Sequence, residues 1–309
     1  MIVFRADLSP LTGQRSLRRC AYLAALLKKS EGAQIVCRED KKAAKFLAET
    51  KVPFVMVKDP GSMDIAAAKA IIFDLPDFSG QDAALLAKAK KSGLKIVQMV
   101  PLGERPQPVD VAVPLAEAEN ALLHHKFRHF NKTKRKFRKR IRNIFINLGD
   151  LLPYRELREI VDTLHRLGFR MKISPGAGLK KADKRNLMRI YPGIHFCGKS
   201  ESPARAYFEA DLALVPPGDE AVEAACVGTP ALYMPLAKDQ EAQADACAKM
   251  GTGVKIPSLA DWTVPAIRDA ITPLTPERRQ QMGEAGKALV DGLGVHRFFK
   301  ILKENGIIE

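Results

Sequence analysis

The segment ADLALVPPGDEAVEAACVGTPALYMP (residues 210–235) runs from a short aliphatic stretch through a Pro-Pro-Gly turn into a helical pattern. It leaves through Gly-Thr-Pro into a second apolar stretch. A strand, a crossover helix and a second strand in so few residues put the two strands side by side and parallel. Neither apolar run shows the in-out alternation of a half-exposed strand, as expected where helices cover both faces of a sheet. The segment sets the fold class as α/β, and the pattern extends from it in both directions.

Upstream lie IFINLG from residue 144, a helical pattern near 154–167, then RMKIS, IHFCG and a helix from Pro203; downstream lies GVKI. Before residue 143 the same alternation has already run once: IVFRAD, a helix near 16–29, AQIVC, a helix near 41–49, PFVMV, AIIFD, a helix near 81–92, and KIVQMV. A chain of 309 residues exceeds what one hydrophobic core usually supports. The expectation is two Rossmann-like, doubly wound parallel-sheet domains facing a cleft. The first, residues 1–140, ends in a basic linker, and the second is residues 141–309. Ser202-Pro203 and Thr275-Pro276 each set a hydroxyl cap before a proline at the first helical position. The Pro-rich stretch 101–114 argues against regular structure in its middle.

Composition narrows the class. Hydrophobic residues at 46% and charged residues at 28% exclude global disorder. No apolar run approaches the roughly 20 residues of a membrane span, and the first residues lack a basic leader, so a cytoplasmic protein is expected. The five cysteines are scattered and never spaced as CxxC, which suggests neither a disulfide framework nor a zinc site. No metal and no cofactor are expected. The formal net charge is +15, but ten Lys and Arg with no acidic residue fall in KFRHFNKTKRKFRKRIR (residues 126–142), leaving 15 − 10 = +5 for the rest.

That segment carries Phe127, Phe130 and Phe137 among its cations and sits at the expected domain boundary. A solvated linker helix leaning on its phenylalanines is the leading reading. Peripheral contact with an anionic membrane at its inner face comes second, and nucleic acid third.

Tandem doubly wound domains bind ligands beyond the carboxyl ends of their strands, so the loops there are the ones to inspect. At those loops FRAD…TGQRSLRRC, INLGD, the segment from residue 210 to Cys247, and VDGLGVHR resemble, in order and spacing, the nucleotide-sugar hydrolases of pseudaminic-acid biosynthesis. They also resemble the related spore-coat polysaccharide proteins of glycosyltransferase B type. The resemblance covers nearly the whole chain and implies a UDP-sugar bound mainly by the second domain, in surface-glycan or sugar biosynthesis. It implies Glu223 as the carboxylate taking the ribose hydroxyls, and Asp239 with Gln240 as the polar pair near sugar and phosphates. Glycine turns and helix N-termini offer backbone N–H groups to a diphosphate, which suits Gly149 and Gly218. Singly these are turn glycines, a solvated helix residue and a helix start; their joint spacing is what points to a site.

The chain also departs from those proteins. Where the hydrolases carry a histidine as the proposed base, this sequence has Ser16. A serine hydroxyl does not titrate near neutrality and has no base close in sequence, so Ser16 reads as the cap of the following helix. Asp7, Asp74 and Asp77, at strand ends of the first domain, are the candidate catalytic carboxylates in its place. Pro217 removes an N–H from the donor loop, and Asp219 and Glu220 put negative charge where a diphosphate would lie unless Asp219 caps its own helix. Arg15, Arg18 and Arg19 are the cations available for phosphates or an anionic glycan, protein or lipid-linked acceptor. The expected activity is sugar transfer, with a non-catalytic binding protein and a hydrolase with a relocated base as alternatives.

Overall fold

The computed structural model describes the chain apart from residues 10–12, 76–77, 101–105, 116, 150–151, 177–178 and 199–200, and the side chain of Asp239. Two compact units divide it: residues 1–122 with 293–309, and residues 123–292.

The first unit contains β1 (Ile2–Ala6), α1 (Arg15–Leu27), β2 (Ala33–Arg38), α2 (Lys41–Thr50), β3 (Phe54–Val57), β4 (Ala70–Asp74), α3 (Gly80–Lys91), β5 (Lys95–Val100) and β6 (Val111–Pro114). Its six strands pair in the order β3-β2-β1-β4-β5-β6, all parallel. The central strands β1 and β4 are buried along their whole length, and apart from Arg5 and the terminal Asp74 their sequences are apolar. The edge strand β6 lies at the end of the Pro-rich stretch, past the middle where prolines argued against regular structure. Pro114 closes β6 at the sheet edge, where its missing N–H breaks no ladder.

The second unit contains α4 (His125–Lys132), β7 (Asn143–Ile146), α5 (Tyr154–Arg166), β8 (Arg170–Ile173), α6 (Lys181–Ile190), β9 (Ile194–Phe196), α7 (Pro203–Glu209), β10 (Leu212–Val215), α8 (Asp219–Cys226), β11 (Ala231–Tyr233), α9 (Glu241–Lys249), β12 (Gly253–Lys255), α10 (Val264–Ile271) and α11 (Pro276–Leu289). Its strand order, β12-β11-β10-β7-β8-β9, is again parallel throughout. Both sheets thus follow the dinucleotide-binding order in which the first strand lies between the second and the fourth.

The boundaries differ from those set by sequence. The chain enters the second unit at Leu123, so the basic segment belongs to that unit, and the last helix, α12 (Gly294–Glu304), returns to the first. There Phe298, Leu302, Ile307 and Ile308 join the apolar core beneath β1 and α1. The return is tight: a Cβ on Gly294 would stand 2.2 Å from the Ala121 carbonyl oxygen. The proline starts hold at Pro203 and Pro276, although only Thr275, and not Ser202, gives its helix a side-chain cap.

Candidate functional site

In each sheet the chain reverses direction across the strand order between the first and fourth strands, and ligands of this fold class sit beyond the carboxyl ends at that point. In the first unit the point lies between β1 and β4, and in the second between β7 and β10.

At the first of these, charge is matched internally. Arg5, in the middle of β1, is fully buried. Its guanidinium grips both oxygens of Asp7 at 2.5 Å and donates to Asp82 Oδ1 at 2.9 Å. Arg38, at the end of β2, donates its backbone N–H to Asp7 at 2.8 Å and its guanidinium to Asp82 at 2.8 Å and to Ser79. Burial pushes the Asp7 carboxyl up, but the Arg5 hydrogen bonds and charge, with Arg38 behind them, hold it below the usual carboxylate range. Asp74, the last residue of β4, is also fully buried and takes both prongs of Arg19 at 2.7 Å. Beside it, burial and then the Asp74 charge drive the Cys20 thiol far above its ordinary value, with its Sγ 3.6 Å from Asp74.

Three expectations change here. Asp7 and Asp74 are ion-pair partners with their oxygens committed, and Asp74 does not reach solvent. Arg19 is the other half of the Asp74 pair. Ser16 does not cap α1: the cap position is Gln14, which makes no side-chain capping bond, and Ser16 is buried in the first turn. The helix starts two residues earlier than a Ser16 cap would place it. Arg15 is half-buried and Arg18 exposed in the same turn, while Asp77 lies outside the described residues.

The corresponding point of the second unit is built from backbone turns, an amide, a phenol and the carboxylates of α8. Three residues past β7 the chain turns at Gly149 with φ 77°, and three past β10 it turns at Gly218 with φ 132°, left-handed values that favour glycine. Because β7 and β10 are hydrogen-bonded neighbours, the two turns are adjacent. Gly218 precedes α8, whose first turn carries Asp219, exposed, and Glu220, buried; neither residue caps the helix. Their charges favour the positive end of their own helix and oppose an incoming anion. The Gly218 N–H is directed at the buried Cys247 thiol, which burial raises and this hydrogen bond lowers.

Glu223, one turn into α8, is half-buried and hydrogen-bonded by the Tyr207 hydroxyl, which in turn accepts from Asn147 Nδ2 at 2.9 Å. Burial, followed by the charges of Glu223 and Glu220, drives the Tyr207 phenol well above its ordinary value. Asn147 and Tyr207 escaped the sequence reading; the only signal was a polar residue directly after β7, since the pair are 60 positions apart. Gln240 Oε1 accepts from the Leu236 N–H at 2.9 Å and so holds the turn after β11. Asp239 lies in the same turn. A separate hollow of about 580 Å³ lies among α4, β8 and α7; Lys172 and Arg205 in its wall are already paired with Glu201 and Glu209.

Among the described residues, no group of three or more His, Cys, Asp or Glu is placed to hold a metal ion, and no helix is long and apolar enough to cross a membrane.

No protein-family model matches the chain, and no curated protein matches it by sequence. Solved structures do. MurG from Acinetobacter baumannii aligns with 98% of this chain and 99% of its own at 16% identity, TM-score 0.64. The spinosyn rhamnosyltransferase SpnG, complexed with thymidine diphosphate, aligns over 97% of this chain and 100% of its own at 13% identity, TM-score 0.63. The UDP-GlcNAc 2-epimerase from Neisseria meningitidis, bound to UDP-GlcNAc, aligns over 99% and 100% at 12% identity, TM-score 0.58. At such identities the likeness establishes the fold: two Rossmann-like α/β domains, as in glycosyltransferases of the GT-B type.

Proposed function

We propose that the chain binds a nucleotide-linked sugar, a UDP-sugar, at the carboxyl edge of its second sheet, and transfers the sugar to an acceptor. The observation that carries this reading is the pair of glycine turns flanking the β7–β10 crossing, with Glu223 held one turn into α8 by Tyr207. A half-buried carboxylate that already accepts one hydrogen bond keeps lone pairs for ribose hydroxyls. Adjacent N-terminal N–H groups of α8 suit the negative charge that develops on a departing diphosphate. The full-length likeness to sugar-nucleotide proteins supports the ligand class.

A non-catalytic binding protein is the second reading, and one observation favours it: both oxygens of Asp7 and of Asp74 are engaged by arginine guanidinium groups. The same observation weighs against hydrolysis with either of them as the relocated base.

Thermal stability measured against UDP, GDP, CMP, dTDP and their sugar conjugates tests the site. A bound nucleotide at 100 times its Kd adds about 2.7 kcal/mol. A rise specific to one nucleotide and absent in Glu223→Ala is expected; no rise with any of them would sink the reading. UDP release in the presence of acceptors then separates transfer from binding alone.

A further inference from the structure

The basic segment is not a helix along its length. After α4 ends at Lys132, exposure alternates residue by residue: Thr133, Arg135 and Phe137 are turned inward, while Lys132, Lys134, Lys136 and Arg138 are exposed. A period of two marks an extended backbone, so same-side residues stand roughly 6.6 Å apart. The inward row pins the strap to its own unit. The Arg135 guanidinium donates to Phe208 O at 3.0 Å, to Thr229 Oγ1 at 2.9 Å and to Ala210 O, and lies against the rings of Phe137 and Phe208. Lys287 Nζ holds the Thr133 carbonyl and Arg279 the Arg138 carbonyl, each at 2.6 Å. Asp211 takes Arg138 and the N–H groups of Arg142 and Asn143, each at 2.9 Å.

Apart from Arg138, the outward cations have no such use. Lys132, Lys134, Lys136, Lys139, Arg140 and Arg142 are exposed and form no ion pair with any described residue. Asp211 directly precedes β10 and Arg142 directly precedes β7, so the strap crosses the amino edge of the second sheet, opposite the glycine turns. Helices α6 and α9 end at that same edge, leaving Ile190 39% and Met250 49% exposed, next to the exposed Arg189 and Lys249. These flank the sheet at its two ends, before β9 and β12. Exposed carboxylates reach this edge too, among them Glu209 at the end of α7, which is already paired with Arg205 and Lys172.

We infer that this amino edge docks on an anionic membrane surface. A rigid row of cations with exposed apolar side chains at both flanks matches a charged interface with an apolar layer beneath it. Single-stranded nucleic acid fits less well, because it needs outward aromatic rings for stacking. Phe127 is buried near Tyr207, Phe130 packs on Phe208, and Phe137 lies on Arg135.

Flotation with phosphatidylcholine vesicles, with and without about one-third phosphatidylglycerol, tests this at low salt and at about 0.5 M salt. Binding is expected only to anionic vesicles, and less at high salt. The triple variant Lys132→Gln/Lys134→Gln/Lys136→Gln should lose about fivefold in affinity per cation. The charge-matched triple Lys41→Gln/Lys42→Gln/Lys45→Gln, on α2 of the first unit, should bind as the parent does. Equal binding by the two triples, or none to anionic vesicles at low salt, overturns the inference. So does a strap-dependent gel shift of single-stranded RNA without vesicle binding.

Discussion

The two units share one strand order and treat its crossing point in opposite ways. In the first, four charged side chains, Arg5, Asp7, Arg38 and Asp82, neutralise one another around β1 and β2, and Arg19 with Asp74 forms a second pair. In the second, the crossing is made of glycine turns, a helix N-terminus, an amide, a phenol and the carboxylates of α8. The parallel scaffold is indifferent to this choice, because it is held by the apolar faces of its strands and helices. What differs is the cost of change: buried ion pairs punish the loss of one partner, whereas a glycine turn punishes the gain of a side chain.

The largest expected effect follows from the first unit. Asp74→Ala leaves the Arg19 guanidinium without its carboxylate and should cost about 3–5 kcal/mol in urea denaturation. The double change Arg19→Met/Asp74→Leu should recover most of that loss, since paired replacement of buried charges by apolar groups is often close to neutral. A double variant as unstable as the single would mean that the pair does more than neutralise itself.

Acid should separate the units next. Asp7 has a folded pKa below its unfolded one, so its contribution is present above about pH 4 and lost as pH falls through the lowered value. In the second unit Glu201 is also lowered, by its hydrogen bond to Lys172, but lies near the surface where solvent screens it. The first unit is therefore expected to unfold first on acidification, and hydrogen exchange at β1 against β10 reports the order. Equal loss in both would break the contrast.

Gly218→Ala is the complementary test. At φ 132° a Cβ is strained, at a cost of about 1–3 kcal/mol, and no charge is altered, so the loss should not depend on salt. A salt-dependent loss would show that the α8 carboxylates respond to the turn.

These contrasts also mark how much could be read in advance. Eleven of the twelve strands were legible as short stretches between helical patterns, and the central ones stand out most because buried parallel strands need no polar face. The twelfth, β6, was hidden by prolines that an edge position tolerates. The return of α12 to the first unit was not legible, since an amphipathic helix announces that it packs and not on which sheet. Arg5 inside an apolar strand, two residues from Asp7, was a readable sign of a buried pair; Asp82, 77 positions away, was not. The strap carried a visible period of two, Lys-Thr-Lys-Arg-Lys-Phe-Arg, which a reading of bulk charge as a linker helix passed over. In the second unit the turns at Gly149 and Gly218 were readable because turn geometry is local, and Glu223 was singled out by resemblance. The Asn147–Tyr207–Glu223 chain was not, because it joins three separate elements.

The smallest expected effect is the one that speaks most directly to the ligand. Asp219 is exposed in the first turn of α8, where its charge supports the helix by about 0.3–1 kcal/mol and repels an anion about 4 Å away by roughly 1 kcal/mol. Asp219→Asn should therefore move two measurements in opposite directions: stability falls slightly, and UDP binds about fivefold tighter at low salt, less so as salt rises. The opposition matters, because a general loosening of the loop would weaken both. If stability falls and affinity is unchanged, the diphosphate does not approach α8. The second crossing would then resemble the first, with its helix end already satisfied by its own carboxylates.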